Sequence, residues 1–408
     1  MAREMKDSGV EWIREIPCTW SLSKIGRVYT ERKTKVSDRD YPPLSVTMRG
    51  ILPQLDVAAK TDAHDDRKLL CKGDFAINSR SDRRGSCGIS PIEGSVSLIN
   101  IVLQPKEDMD SQYYEWMFHS SMFSDEFYKW GHGIVDDLWT TGWQDMKRIA
   151  IPTPALQEQK RIAMFLNEQC GELDNVLAKT RASIEEYKKL KQAVITQAVT
   201  KGIRGDTEIK DSGIDWIGEI PVRWRITSLK YLCKMQAGKT LSSERIEKSG
   251  EYPVYGANGI RGFYKEFNAD GTYLLIGRQG ALCGNVHKAE GKFWATEHAV
   301  LVNVLDSCNL NFLYYMLIGM NLNQYASNTA AQPGLAVSTI LNVKMCIPPI
   351  DEQERISVYL DEKCEVIDSL VAKKEQYHSE IENYKKSLIY EYVTGKKEVP
   401  QKYQASNE

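Results

Sequence analysis

The sequence predicts an α+β protein made of two globular, mixed α/β heads and two long helices that share an apolar seam, arranged as an internal repeat. Three observations carry this expectation. The stretch KDSGVEWIREIP at 6–17 returns as KDSGIDWIGEIP at 210–221. A second match closes each copy, IPTPALQEQKRIAMFL at 151–166 against IPPIDEQERISVYL at 347–360. Each closing match runs on into a charged stretch with heptad-like apolar spacing, ending in VTKG (199–202) or VTGK (393–396). Self-similarity of this kind outranks any single motif in deciding architecture.

The opening signature aligns at an offset of 204, pairing Trp12 with Trp216 and Trp20 with Trp224. Its carboxylates Asp7, Glu11 and Glu15 have no neighbouring His or metal-type partner in sequence, so it does not read as catalytic. Trp12, Ile13 and Ile16 instead suit an apolar anchor for the opening strand or turn of each head, with Pro17 ending it. The globular segments that follow, about 21–150 and 225–346, share little sequence. In the first, 73–78 and 95–103 read as strands; in the second, 272–276 and 299–305 do. Residues 111–130 and 309–325 read as amphipathic helices.

Pro152 and Pro154 precede the first long helix, Pro348 and Pro349 the second, where helix starts tolerate proline. The expected seam is Leu173, Leu177, Thr180, Ile184, Tyr187, Lys191, Val194 and Ala198 on the first helix. On the second it is Ile367, Leu370, Lys374, Tyr377, Ile381, Tyr384 and Leu388. About 40 residues of helix make a rod of roughly 60 Å, too long to bury its seam in one small domain, so the two helices most simply bury each other. The expected boundaries are a first head at 1–153, a helix at 154–203, a second head at 204–349, a helix at 350–395 and a polar tail at 396–408.

Composition narrows the class. At 408 residues, 42% hydrophobic and 26% charged, the chain fits two domains rather than one core or a disordered segment. No apolar run is long enough for a transmembrane helix, and the first residues lack the apolar core of a signal peptide. Nine cysteines without a C-x-x-C pair fit reduced thiols, and the expected location is cytoplasmic. The six histidines show no metal-ligand spacing, and no metal is expected. Net charge is −2, and neither head is globally basic: Lys+Arg against Asp+Glu is 21 to 23 in 1–155 and 15 to 13 in 204–349. Contact with nucleic acid would rest on local patches and on help from partners.

Such patches exist. The first head carries KIGRVYTERKTKVSDR (24–39) and NSRSDRRGSCG (78–88). Arg49, Arg80, Arg83 and Arg84 are its candidate DNA contacts, since arginine suits both phosphate and the guanine edge. Thr141 and Trp143, from the Trp- and Gly-rich stretch 130–143, join them. The second head offers YPVYGANGIRGFYK (252–265) and LLIGRQGALCGN (274–285). Lys239, Tyr255, Asn258, Arg261, Arg278 and Gln279 are its candidates, because Asn and Gln suit adenine edges and Arg suits guanine or phosphate.

Catalytic readings fail on spacing. Gly238-Lys239-Thr240 matches the end of a phosphate-binding loop, but the first glycine of that motif would fall on Cys233. Glu186-Tyr187-Lys188 has a nuclease-like E-x-K spacing but lies on the charged face of the long helix. No N/D-P-P-aromatic tetrapeptide occurs, Pro42-Pro43 lacking the preceding Asn or Asp. No catalytic residue is expected.

The paired D-S-G-x-x-W-I-x-E-I-P signatures, paired E-Q-x-R-I stretches and paired long helices resemble the specificity subunits of type I restriction-modification enzymes over nearly the whole chain. The resemblance implies two target-recognition domains, each reading one half of a bipartite, asymmetric site in double-stranded DNA. It implies an antiparallel coiled coil that sets the gap between the half-sites. It also implies a non-catalytic chain that binds no cofactor itself: two modification subunits would carry S-adenosylmethionine and adenine methylation, and motor-nuclease subunits would use ATP and Mg. The alternatives are a two-headed protein-interaction scaffold without a DNA role, or a self-sufficient DNA-modifying enzyme, against which the missing motifs weigh.

Overall fold

The repeated dozen residues form the same hairpin twice. In the first copy Met5–Asp7 pairs antiparallel with Glu15–Pro17; in the second Ile209–Asp211 pairs with Glu219–Pro221. The D-S-G letters make the turn. Asp7 Oδ1 accepts Gly9 N–H at 2.9 Å and Asp211 Oδ1 accepts Gly213 N–H at 2.9 Å. Ser8 and Ser212 each accept the N–H two residues on, at 3.1 Å. These are the local side-chain turns that Asp and Ser favour. Trp12, Ile13, Ile16 and Trp20 are buried beneath the first hairpin, and Ile217, Ile220 and Trp224 beneath the second. Burying each aromatic or aliphatic anchor contributes about 1.5–3 kcal/mol.

The computed structural model describes residues 3–54, 64–133, 139–205, 207–280, 283–327 and 334–403. The chain divides into two compact units, Met1–Thr180 with Gln376–Glu408, and Arg181–Glu375. The division falls inside both long helices, Leu156–Lys201 and Ile350–Val393, not at the head–helix junctions expected from the sequence. The physical reason is visible in each core. The first unit's core joins head residues to Ile162, Leu166 and Cys170 from one helix and to Leu388, Tyr392 and Val393 from the other. The second unit's core likewise takes Ile195 and Val199 from one helix and Ile356 and Leu360 from the other.

In the first head an antiparallel sheet runs in the order Cys87–Ile89, Phe75–Asn78, Asn100–Pro105, Tyr29–Glu31. A three-stranded sheet, Gly94–Ser97, Arg67–Leu70 and Lys35–Val36, lies in the same head. The run 95–103, read as one strand, is two strands in different sheets, broken at the exposed Leu98 and Ile99. The helical stretch 111–130 is likewise two helices, Ser111–His119 and Ser121–Lys129, divided at Ser120, whose hydroxyl caps the second. In the second head Cys233–Ala237, Ala299–Val304, Tyr273–Gly277 and Val286–Ala289 form one antiparallel sheet in that order. The other sheet, Gly259–Tyr264, Tyr252–Gly256, Lys292–Ala295 and Ala269–Asp270, contains one parallel pairing, Tyr252–Gly256 with Lys292–Ala295.

Within each unit the two helix segments lie antiparallel. In the first, Phe165 packs against Tyr392 with centroids 4.4 Å apart and the rings tilted by 37°, and Asp174 pairs with Lys385 at 2.5 Å. In the second, Tyr187 faces Lys374 and Lys191 pairs with Asp368 at 2.6 Å. The seam expected on the first helix is buried or half-buried throughout. On the second it is corrected by one residue at three positions. Leu370, Tyr377 and Tyr384 are exposed, while Val371, His378 and Lys385 take the inner sites between the buried Ile367, Ile381 and Leu388. Large apolar side chains at neighbouring positions misled the phase; the 4-3 step itself holds.

Both helices end on a left-handed glycine at the place each head needs it. Gly202 has φ +77° and Gly395 has φ +73°. Gly395 lies against Pro17 and Trp20 in the first unit, Gly202 against Trp224 in the second. The indole N–H of Trp20 donates to Glu158 Oε2 at 2.8 Å, and Glu158 also holds Arg3.

Candidate nucleic-acid interface

Two strand–turn segments of the second head converge on one open groove of about 420 Å³, lined by Ala257, Asn258, Ile260, Arg261, Gln279, Gly280 and His298. Asn258 stands in the turn between Tyr252–Gly256 and Gly259–Tyr264, and Arg261 on the second of these strands. Gln279 follows Tyr273–Gly277, next to Arg278, whose backbone is fixed on both sides: Arg278 N–H donates to His298 O at 3.0 Å and Leu335 N–H donates to Arg278 O at 2.9 Å. Arg261 crosses Gly256 so closely that a Cβ there would meet its Cδ at 2.5 Å, so a side chain at 256 would displace the stem of this arginine.

Three of the six residues picked in this head, Asn258, Arg261 and Gln279, therefore share a site, although about 20 residues separate the two segments. His298 was missed; a lone histidine between Glu297 and Ala299 carries no sequence signal, and only folding sets its Nδ1 2.6 Å from Gln279 Oε1. The other three lie elsewhere. Lys239 is exposed, and its carbonyl accepts the Trp294 indole N–H at 3.2 Å. Tyr255 is half-buried against Phe293, centroids 5.4 Å apart, and burial raises its hydroxyl pKa. Arg278 is half-buried, its Nε enclosed by protein.

In the first head the arginine loop 78–88 is tied to the Trp-rich stretch. Ser81 N–H donates to Trp139 O at 3.0 Å and Thr141 N–H donates to Ser79 O at 3.0 Å. Between them opens a groove of about 920 Å³ lined by Ser81, Asp82, Arg84, Asp125, Tyr128, Lys129 and Trp139. Arg84 reaches Asp125 at 3.0 Å and lies 5.3 Å from the centre of the Tyr128 ring. Asp82 pairs with Arg80 at 3.2 Å and Arg83 at 3.7 Å. Lys129 bonds Glu11 at 3.0 Å, which raises the lysine pKa and lowers that of the carboxyl. These exposed pairs hold little energy and exchange readily for a polyanion.

Two sequence candidates here take structural places. Thr141 is fully buried, its hydroxyl donating to Phe127 O at 2.8 Å, so it does not face a groove. Trp143 is half-buried against the core at the start of the short helix Trp143–Met146. Arg49 is exposed in the turn joining Leu44–Thr47 to Gly50–Pro53, away from the residues lining the Arg84 groove. A second basic groove of about 640 Å³ joins Lys24 and Arg27 to the distant Lys147 and Arg148; no carboxylate lines it among the described residues.

Among the described residues no His, Cys, Asp and Glu cluster has the arrangement to hold a metal ion, and no helix is long and apolar enough to cross a membrane.

Comparisons with known proteins follow the same outline. Residues 221–382 match the type I restriction modification DNA specificity domain. The type I restriction enzyme EcoprrI specificity subunit of Escherichia coli is 49% identical over 147 residues, 35% of this chain and 36% of the relative. The MjaVIII specificity subunit of Methanocaldococcus jannaschii is 26% identical over 285 residues, 61% of this chain and 62% of the relative. The chain thus matches between about a third and three-fifths of the length of these relatives. A chain from a solved structure, described as the structural basis underlying complex assembly and conformational transition of the type I R-M system, shares the fold with a TM-score of 0.70 at 15% identity. The match covers 93% of this chain and 98% of that one. In the sequence of its second head and in its fold, the chain is similar to type I restriction-modification specificity subunits.

Proposed function

We propose that this chain is the DNA-reading subunit of a type I restriction-modification complex, each head reading one half of a bipartite, asymmetric site. The observation that carries the reading is the convergence of Asn258, Arg261 and Gln279 on one groove, inside the region that matches a DNA specificity domain. Side-chain amides and guanidinium groups are the groups that read base edges in the major groove. The first head contributes arginines in exposed, exchangeable pairs, suited to phosphate.

On this proposal the chain is non-catalytic. Two modification subunits dock on its helical regions and supply S-adenosylmethionine and adenine methylation, while motor-nuclease subunits supply ATP- and Mg-dependent cleavage. The long helices set the gap between half-sites. The near-balance of charge in both heads implies that partners provide much of the phosphate contact. The complex works in the cytoplasm, where its DNA is.

The test is a gel shift on a randomised duplex library with the chain and its modification subunits together. Recovery of a split motif with two different halves supports the proposal. Binding to protein partners with no enriched DNA motif contradicts it, as does methyl transfer by the purified chain alone.

A further inference from the structure

The groove of the second head is polarised by its own hydrogen bonds. Gln279 Oε1 lies 2.6 Å from His298 Nδ1, and because an amide oxygen only accepts, that nitrogen carries the proton. The Gln279 amide is thereby oriented with its NH2 group turned away from His298. Asn258 shows the same pattern, its Oδ1 accepting Asn285 Nδ2–H at 2.9 Å. Both side-chain carbonyls are engaged within the head, while neither NH2 group has a partner among the described residues. Arg261, its stem held across Gly256, brings a guanidinium that likewise has no ion-pair or hydrogen-bond partner among the described residues. Three side chains from two segments thus offer donors to one groove, and the two acceptors among them, Asn258 Oδ1 and Gln279 Oε1, are turned to partners within the head.

Base edges differ in what such a surface meets. In the major groove guanine presents two acceptors, N7 and O6. Adenine and cytosine each present an amino donor, and thymine an acceptor beside its methyl. A donor-only array meets guanine without leaving a buried donor facing another donor, a mismatch that costs more than the bond gains. The sequence expectation that Asn and Gln here suit adenine needs a carbonyl turned to the base, and the two carbonyls are turned instead to Asn285 and His298.

We propose that Asn258, Arg261 and Gln279 form a guanine-selecting site, with His298 and Asn285 as the positioning residues that fix its donor polarity. The inference rests on the DNA-reading function and specifies which letter this head selects.

The experiment uses the full chain with its modification subunits and a duplex library randomised across both half-sites, for the natural protein and for Gln279→Glu, Asn258→Asp and His298→Ala. Gln279→Glu keeps an acceptor for His298 and replaces the outward donor by an acceptor. It is expected to shift one guanine position toward cytosine, whose amino group donates, by about tenfold or more. Asn258→Asp should act on the same or an adjacent position. His298→Ala frees the Gln279 amide to turn and should relax guanine over adenine there, an effect a merely structural role would not localise to one base. The other half-site should keep its letters in every variant, which also reports that each variant folds. A split motif in which no position responds, or in which the responding position is not guanine in the natural protein, overturns the inference while leaving the DNA-reading function intact. Recovery of no split motif by the natural protein overturns that function, and the inference with it.

Discussion

The side-chain carbonyl of Gln353 accepts the backbone N–H of Asn309 at 2.8 Å, while its amide donates to Pro348 O at 2.9 Å. Gln159 repeats the relationship with Asp110 N–H and Pro154 O, both at 2.9 Å. Asn309 and Asp110 are themselves the capping residues of head helices. The E-Q motif of each closing stretch is thus a buried two-ended clamp between the start of a long helix and the start of a head helix. Replacing either glutamine by alanine strands a buried N–H and a buried carbonyl, and should cost about 2–4 kcal/mol. Gln353→Glu should also destabilise, because a carboxylate cannot donate to Pro348 O. Urea unfolding of the full chain checks both, and a loss below about 0.5 kcal/mol would show that the clamp is not needed.

The two helix-ending glycines should differ in tolerance. Alanine at either position pays for a left-handed backbone, about 1–2 kcal/mol. At Gly395 its Cβ also meets Pro17 Cδ at 2.6 Å, whereas at Gly202 the nearest contact is Trp224 at 3.4 Å. Gly395→Ala should therefore lower the melting temperature more than Gly202→Ala, and the reverse order would contradict the packing.

The corrected seam makes a paired expectation. Tyr377→Ser and Tyr384→Ser, at exposed sites, should change stability by less than about 0.5–1 kcal/mol, whereas Ile381→Ala should cost about 2–4 kcal/mol. Chemical denaturation of the three variants decides between this register and the one expected from the sequence.

Stability should fall in mild acid through one histidine. Burial pushes His119 down to about 4, with Lys385 adding to the shift, and its ring lies 3.7 Å from the buried Cys87 thiol. The unfolded chain binds this proton near pH 6.5 and the folded chain only near pH 4, so stability is lost as pH falls between those values. The loss is at most about 3 kcal/mol. Denaturation midpoints at pH 7 and 5 should separate more in the natural protein than in His119→Gln.

Much of this was legible in the sequence because it is local. The D-S-G turn, the buried tryptophans, the proline-marked helix starts and the 4-3 stripe all depend on neighbours within a few residues. What escaped depends on distant pairing. Nothing in 95–103 marks the turn at Leu98 and Ile99, since both halves of the run are apolar and suit strands. The closure of the first head by Gly395, more than 370 residues from Trp20, has no local signature either. In the second head the residue types of a DNA reader were visible at Asn258, Arg261 and Gln279. The turning of the Asn258 and Gln279 carbonyls toward Asn285 and His298 was not.

Lengthening both long helices by seven residues preserves the 4-3 phase and adds about 10 Å, the rise of three base pairs. Under the proposed function the gap should widen by about that much, with the half-site letters unchanged.

The most direct measurement exchanges residues 225–346 for the corresponding head of a relative and sequences the methylated DNA of cells expressing the hybrid with its modification subunits. The account predicts a split motif in which one half-site changes and the other half and the gap remain. A motif altered in both halves, or unaltered in either, would contradict two independent readers in one chain.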